Sequence, residues 1–341
     1  MIGLLLALAL ATQPSFETVV AALSDPSVDV RLDAVGKLQA AGYPEAIGPV
    51  AARAVDPDPR VQRAALAAVV ALALPGQGAS DAFDQERVPS VPIPAAAFGP
   101  LAAAMGDAAA PVRVEAAYAF AVLAGRPPAG VPADAMSVVS HALAAMLASG
   151  QRDLRVAAGR VAGRLYRAGR AAVPPAGPLP QELLDALVRQ MNRADELEEL
   201  VAMQSLGFAR EPRAYVALAD RYGFHAGQGN RLRAAGALDA LAHLALPESA
   251  PLFERLLDEG TPLEQRLAID GLARLGDPGR LSRILAAAAE ARDNQVRMAA
   301  LFAREYLLGD GSGVGGLRAE VGDRRLGSQA RDYLRELGLE P

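Results

Sequence analysis

Apolar residues return at a helical spacing along almost the whole chain. The clearest example starts at residues 30–34, which read VRLDA, and continues to Leu38 and Ala41. With Arg31 as position 0, the apolar side chains of this repeating frame fall at positions −1, 3, 6, 7 and 10. This spacing matches the 3.6 residues of a helical turn, so each copy predicts a helix with one buried stripe.

The frame occurs nine times, and consecutive copies lie 30 to 51 residues apart. Its central alanine, at position 3, is Ala34, Ala65, Ala116, Ala158, Ala202, Ala234, Ala268, Ala300 and Ala330. Position 10 was not used to align the copies, yet it is leucine in seven of the nine, at Leu72, Leu123, Leu165, Leu241, Leu275, Leu307 and Leu337. The chain is therefore predicted to consist of structural repeats.

Each framed helix follows a shorter apolar segment, such as residues 16–23 or 252–257, so the repeat is predicted to be a helical hairpin. Asp25-Pro26, Asp58-Pro59 and Thr261-Pro262 are typical of an N-cap followed by proline in the first turn. Thr261 and Glu264 form the pattern of a capping box. Glycines follow several framed helices, where a left-handed C-cap favours this residue: Gly42, Gly276 and Gly338.

Three of the longer spacings contain segments rich in proline, near residues 75–100, 126–132 and 171–180. Because proline cannot continue a helix, we expect these segments to be loops outside the array.

The composition supports an all-α fold. Hydrophobic residues make up 52% of the 341 residues and aromatic residues only 4%, so alanine, leucine and valine carry the apolar content. Alanine and leucine favour helices, and alternating strand patterns are nearly absent. The chain exceeds the size of about 250–300 residues at which single cores stop growing, which favours an array in which each repeat packs on its neighbours.

Units such as DPSVDVRLDAVGKLQAAG and TPLEQRLAIDGLARLGDPG resemble HEAT repeats, and the resemblance covers almost the whole chain. The units are shorter than usual and look like the compact bacterial HEAT-like repeats first recognised in bilin lyases. The resemblance implies an α-solenoid of about nine hairpins, an armadillo-type right-handed superhelix. It also implies a non-catalytic scaffold that binds a protein or peptide on its concave side. The alternative is an enzyme of the bilin-lyase type or another ligand-binding HEAT protein.

The amino terminus resembles the end of a secretory signal peptide. Residues 2–10 are an unbroken apolar run, and Ala9-Leu10-Ala11 matches an A-x-A cleavage pattern. We therefore expect residues 1–11 to be removed and residues 12–341 to form the repeat domain of an exported, periplasmic protein. The alternative is an apolar capping helix on a cytoplasmic protein. The run is too short to span a membrane.

Charge and residue types argue against several function classes. The net charge is −5, whereas nucleic-acid binders usually carry a basic domain or stripe. The chain has no cysteine, and its three histidines, His141, His225 and His243, are far apart, so we expect no metal or cofactor and interpret the histidines as structural or surface residues. Residues 311–316 match G-x-G-x-x-G, but a helical pattern precedes them where a dinucleotide site needs a strand, so we expect a flexible hairpin.

Two sets of side chains remain as candidate functional or structural groups. Arginine recurs at the start of the frame, with aspartates just upstream at Asp29, Asp153 and Asp293, and we expect a structural ladder between neighbouring repeats at Arg31, Arg113, Arg155, Arg231 and Arg297. Position 5 points away from the buried stripe and is expected to be the most exposed row of the second helices. In the central repeats this row and its flanks predict a binding strip for an acidic or extended polypeptide: Tyr118, Arg160, Gln204, Arg164 and Arg167.

Overall fold

The computed structural model describes residues 14–107, 109–125, 130–167 and 177–339. Every regular element within these residues is a helix, and no strand occurs among them. None of the described helices has both the length and the apolar character needed to cross a membrane. The expected signal segment, residues 1–11, lies outside the described residues.

The chain forms two compact units, residues 1–161 and 162–341. In the first unit the α-helices are α1 (Phe16–Ala22), α2 (Val28–Ala41), α3 (Ile47–Ala51), α4 (Pro59–Ala73), α5 (Ala79–Asp84), α6 (Phe98–Ala104), α7 (Ala110–Ala124), α8 (Ala133–Leu147) and α9 (Arg152–Leu165). The boundary between the units falls within α9. Short 3-10 segments occur at Pro44–Ala46, Ala52–Val55 and Ala95–Ala97.

In the second unit the α-helices are α10 (Gln181–Met191), α11 (Glu196–Phe208), α12 (Tyr215–Gly227), α13 (Arg231–Leu244), α14 (Ala250–Glu259), α15 (Pro262–Arg274), α16 (Leu281–Glu290), α17 (Asn294–Leu308), α18 (Val314–Ala319) and α19 (Gly327–Glu336). Proline begins each of the 3-10 segments Pro212–Ala214, Pro247–Ser249 and Pro278–Arg280. Each of these segments lies just before the first helix of a hairpin. At this position a backbone N–H has no partner within the helix, so proline, which lacks it, loses no hydrogen bond.

The repeat frame is confirmed by the burial of its central alanines. Within the described residues there are nine hairpins, and each places one central alanine on its second helix, at 6% exposure or less: Ala34, Ala65, Ala116, Ala158, Ala202, Ala234, Ala268, Ala300 and Ala330. The second helices of successive hairpins pack side by side. In the first unit α2 packs on α4 and α4 on α7, and in the second unit α11 packs on α13, α13 on α15 and α15 on α17. The fold is therefore all-α and of the solenoid class.

Most of the predicted helix ends are confirmed. Asp58 accepts a hydrogen bond from the backbone N–H of Arg60, and Thr261 and Glu264 form the reciprocal bonds of a capping box. Gly42, Gly276 and Gly338 all have positive φ angles, of +70°, +73° and +77°. The N-cap of α2 differs from the prediction. The N-cap residue is Ser27. The Asp25 carboxylate lies before the helix and accepts a hydrogen bond from the backbone N–H of Ser27.

The first proline-rich segment is not simply a loop, contrary to the prediction for residues 75–100. It contains α5 and the beginning of α6. Ala82 and Phe83 on α5 are buried against α7, and this apolar contact stabilises a helix that the flanking prolines and glycines conceal in the sequence. Of the other two segments, residues 126–129 and 171–176 lie outside the described residues.

Candidate functional site

A groove of about 990 Å³ lies on the second helices of the first unit. Three helices line it, through Gln39 on α2, Arg60 and Arg63 on α4, and Glu115 and Tyr118 on α7. Residues 76–81, which include the first turn of α5, form another wall. Since α2, α4 and α7 belong to three successive repeats, the groove crosses the repeats instead of lying within one of them.

The floor and rim of this groove differ in polarity. Small and apolar side chains of α4 contribute to its lining, Ala64, Leu66, Ala67 and Ala71. Both arginines of α4 are mainly solvent-exposed, with 62% of the Arg60 side chain and 63% of the Arg63 side chain accessible. Arg63 pairs with Glu115 at 3.7 Å across to α7. Apolar contact at the floor and charged groups at the rim are the arrangement typical of protein interfaces.

Two residues of the predicted binding strip, Tyr118 and Arg160, contact one another in the first unit. Arg160 Nη1 donates to the Tyr118 hydroxyl at 3.4 Å, and its guanidinium lies over the Tyr118 ring at 5.8 Å. The expectation that Tyr118 is exposed is wrong, because Phe83 of α5 packs on it with ring centroids 4.8 Å apart. Burial raises the pKa of Tyr118, and the Arg160 guanidinium only partly offsets this rise.

The remaining strip residues lie in the second unit. Gln204 is exposed on α11, as expected for position 5. Arg164 is buried and Arg167 is half-buried, with its guanidinium 3.9 Å from the centroid of the Phe208 ring. Arg164 therefore cannot flank an exposed strip in the way that its position in the sequence suggested.

Position 5 is also buried further along the second unit, at Asp270 and Phe302. Tyr333 of α19 explains both cases. Its hydroxyl donates to Asp270 Oδ1 at 2.6 Å, and its ring stacks on Phe302 at 4.3 Å with an interplanar angle of 11°. Burial raises the pKa of Asp270 against the opposing effect of Arg274, and burial with the nearby Asp270 raises that of Tyr333. The row predicted to be the most exposed is thus partly covered by the last helix.

An ion pair joins α15 and α19 beside this contact. The Arg274 Nε and Nη2 atoms donate to the two carboxylate oxygens of Glu336, each at 2.8 Å. Burial opposes the charge of Glu336, but Arg274 outweighs it and lowers the pKa of this carboxyl to about 2. Burial, together with the charge of Arg274, lowers the pKa of His243 to about 4.

The predicted arginine ladder is present at the first repeat and altered elsewhere. Arg31 reaches the next repeat with two bonds to the buried Asp56, of 2.9 and 2.8 Å. Arg113 and Arg155 bond to backbone carbonyls of their own hairpins, those of Met105 and Ser149.

At the two remaining positions the ladder prediction is wrong within the described residues. Arg231 is exposed and makes no ion pair among them, and Arg297 contacts Asn294 on its own helix. The bridge at the fifth and sixth repeats runs through Arg233, two residues further on, which donates to Glu199 at 2.9 Å. A helix rotates by about 100° per residue, so a shift of two positions turns the side chain toward another neighbour.

A buried carboxylate cluster at the start of α11 was missed by the sequence analysis. Glu199 is fully buried and lies 2.6 Å from His225 Nε2. Arg221 and Arg233 donate to its two oxygens from α12 and α13. Acidic residues at the start of a helix are usually solvated, so only the packing of three helices identifies Glu199 as a structural centre.

The remaining candidate motifs have structural explanations. His225 belongs to the Glu199 cluster, and the His243 ring packs edge-on to Phe208 at 4.7 Å. The glycine-rich segment follows α17, as predicted, and is fixed by Glu305, which accepts from the backbone N–H groups of Gly311 and Gly313 at 3.3 Å each. Among the residues that the structure describes, no three histidine, aspartate or glutamate side chains form a possible metal site.

No protein-family model and no curated protein sequence matches this chain. Among solved structures, an engineered protein is similar with 15% identity and a TM-score of 0.39, covering 96% of this chain and 100% of its own. A designed armadillo repeat protein in complex with the peptide (KR)4 has 16% identity and a TM-score of 0.39, covering 76% of this chain and 99% of its own. A second designed armadillo repeat protein has 16% identity and a TM-score of 0.37 over the same shares of the two chains.

Proposed function

We propose that the protein is a non-catalytic scaffold of the HEAT-repeat type, and that it binds an extended segment of another protein in the groove of the first unit. The groove itself supports this proposal most directly. It crosses three successive second helices, and its rim presents exposed charged and amide side chains such as Gln39, Arg60 and Arg63. An extended polypeptide can use such a surface along its length, with one contact for each repeat.

A small-molecule site of the bilin-lyase type is the second candidate, because the volume of about 990 Å³ is large enough for a cofactor-sized ligand. Small-molecule sites usually bury most of their ligand among apolar and aromatic walls. This groove has exposed arginines on one side, and Tyr118 is the only aromatic side chain among its described lining residues. The lining therefore favours the polypeptide.

Site-specific crosslinking in the native host tests the proposal. A photoreactive amino acid at Gln39 or Arg63, on the groove, should capture a defined polypeptide that mass spectrometry identifies. The matched control is Val138, an exposed apolar residue of the first helix α8 that does not line the groove. Capture at the two groove positions but not at Val138 supports the proposal.

Binding of the captured polypeptide is then measured with purified proteins. Arg63→Glu should weaken it by about tenfold or more if Arg63 contributes as interface arginines commonly do. Equal capture at all three positions, or a small molecule retained in native mass spectrometry with no captured polypeptide, would contradict the scaffold function.

A further inference from the structure

The α5 segment occupies part of the surface that the repeats otherwise leave open. It comes from the insert between the second and third hairpins and packs on α7, whose Tyr118 also lines the groove. Ala82 and Phe83 supply its buried side chains. One segment of this chain therefore lies at the end of the groove where, under the proposed function, a partner segment would continue.

Two neighbouring side chains of α5 meet the two predicted strip residues. The Phe83 ring packs against Tyr118, and the Arg160 guanidinium lies 5.1 Å from the centroid of the Phe83 ring. Asp84 Oδ1 is 2.5 Å from Arg160 Nη2. Tyr118 and Arg160 together thus receive an aromatic ring and the carboxylate of the next residue. A guanidinium can attract both groups of such a pair, the ring through a cation–π contact and the carboxylate through a charge-assisted hydrogen bond.

Several features of α5 favour its release. It has only six residues, far fewer than an isolated helix needs, so its helical form depends on the surface beneath it. It is followed by Glu86, whose φ of +52° is in the left-handed region that non-glycine residues avoid. The ion pair that holds its end is solvated, with 51% of the Asp84 side chain and 34% of the Arg160 side chain accessible.

We propose that Tyr118 and Arg160 form a docking subsite for a polypeptide segment in which an acidic residue directly follows an aromatic one, and that Phe83-Asp84 is its internal occupant. A partner that carries this pair must displace α5 to reach Tyr118, so the insert reduces the affinity until a competing segment replaces it. This inference rests on the proposed function and specifies the chemistry of the partner at one end of the groove.

A peptide copy of the insert tests this competition. The probe is a fluorescein-labelled peptide with the sequence of residues 79–87, ASDAFDQER, and binding is followed by fluorescence anisotropy. The full chain is compared with a Phe83→Ala, Asp84→Ala variant, in which the subsite has lost its internal occupant. A tethered segment competes at an effective concentration of about millimolar, so we expect the variant to bind the probe at least tenfold more tightly.

Two controls establish where the probe binds. Adding Arg160→Glu to the open variant should remove its gain in affinity for the probe. A probe with alanine in place of its phenylalanine and of the aspartate that follows it should not bind. Equal affinity of the wild-type chain and the open variant, or unchanged binding after Arg160→Glu, would overturn the inference.

Hydrogen exchange of the wild-type chain gives an independent answer if the open variant does not fold. Saturating probe should accelerate exchange of the amides of residues 82–87 at least tenfold, and unchanged exchange would refute the displacement. The crosslinking at Gln39 and Arg63 involves neither Tyr118 nor Arg160. If a partner is captured at these positions but the probe experiments fail, the docking subsite is refuted and the proposed scaffold function stands. Probe binding without a captured partner leaves the subsite and removes the proposed scaffold function.

Discussion

Gly207 on α11 lies so close to Ala240 on α13 that a β-carbon at Gly207 would be 2.6 Å from the Ala240 carbonyl oxygen. Gly207 is at position 8 of the frame, which is glycine or alanine in four of the nine copies. The structure gives the reason, since two neighbouring second helices approach to backbone contact at this point. A larger residue can be accommodated only if the helices move apart.

Gly207→Ala should therefore destabilise the fold by about 1–3 kcal/mol, the usual cost of overpacking. Gly223→Ala is the matched control, because Gly223 also lies within a helix but its added β-carbon would meet nothing within 4 Å. This control should be neutral or stabilise the protein by up to about 1 kcal/mol through helix propensity. Chemical denaturation of both variants measures the difference, and similar stability of the two would mean that the helices do not approach closely.

The ion pair of Arg31 and Asp56 links the first two repeats, and Asp56 is buried. Asp56→Ala removes the carboxylate partner of the buried guanidinium, which keeps only the backbone carbonyls of Asp25 and Pro26 as acceptors, so we expect a loss of about 3–5 kcal/mol in unfolding free energy. Asp33→Ala removes the partner of Lys37 in a pair whose side chains are 53% and 59% exposed, and it should cost at most about 1 kcal/mol. Comparable losses for the two variants would show that the Arg31 pair is not structural.

His243 should make stability depend on pH between about 4 and 6.5. Its pKa is lowered from 6.5 to about 4 by burial and by Arg274, so the unfolded chain binds a proton in this range that the folded chain does not. The contribution of neutral His243 to the free energy of unfolding is complete above pH 6.5 and is lost as the pH falls toward 4. The free energy of unfolding should fall by roughly 3 kcal/mol over this range.

The variant His243→Gln should lack this loss when unfolding is followed from pH 7.5 to pH 4. At pH 7.5 His243 is neutral in the folded and the unfolded chain, so the difference in stability between the two proteins at this pH reports only the change in packing. Glu336 adds its own loss of stability at lower pH. Its pKa is lowered from 4.5 to about 2, so its stabilising contribution disappears between these values. A variant that keeps the wild-type slope from pH 6.5 to 4 would refute the assignment.

The glycine-rich segment is expected to serve packing and not phosphate binding. A β-carbon at Gly313 would collide with the backbone of Leu301, whereas one at Gly315 would meet nothing within 4 Å. Gly313→Ala should cost about 1–3 kcal/mol, and Gly315→Ala should cost nothing measurable. Thermal unfolding of the wild-type chain with and without NAD provides the functional control, and a rise in the melting temperature with NAD would support the dinucleotide interpretation.

The fold was predictable because its signals are local. The nine buried alanines, the capping box at Thr261 and the left-handed C-cap at Gly42 each depend on residues within one or two helical turns. Helix α5 was missed for the same reason. Its six residues carry too little periodicity to be recognised, and only the surface of α7 stabilises them.

The candidate site was less predictable because exposure depends on distant contacts. The helical spacing correctly brought Tyr118 and Arg160 together, but it could not show that Phe83 covers the tyrosine. Asp270 was one of many acidic residues on helices, and its burial depends on Tyr333, which is 63 positions away.

By itself, the sequence determined the repeat frame, the helical hairpins and most of their ends, because a helix is specified by spacings of three to seven residues and by its caps. The tertiary structure alone decided which row of the second helices is open, which arginines form the ladder and where the insert lies. These features join residues far apart in the chain, such as Asp84 with Arg160 and Arg274 with Glu336, at separations of 76 and 62 positions. Whether such residues meet depends on the angles at which successive hairpins pack, and no local pattern encodes those angles.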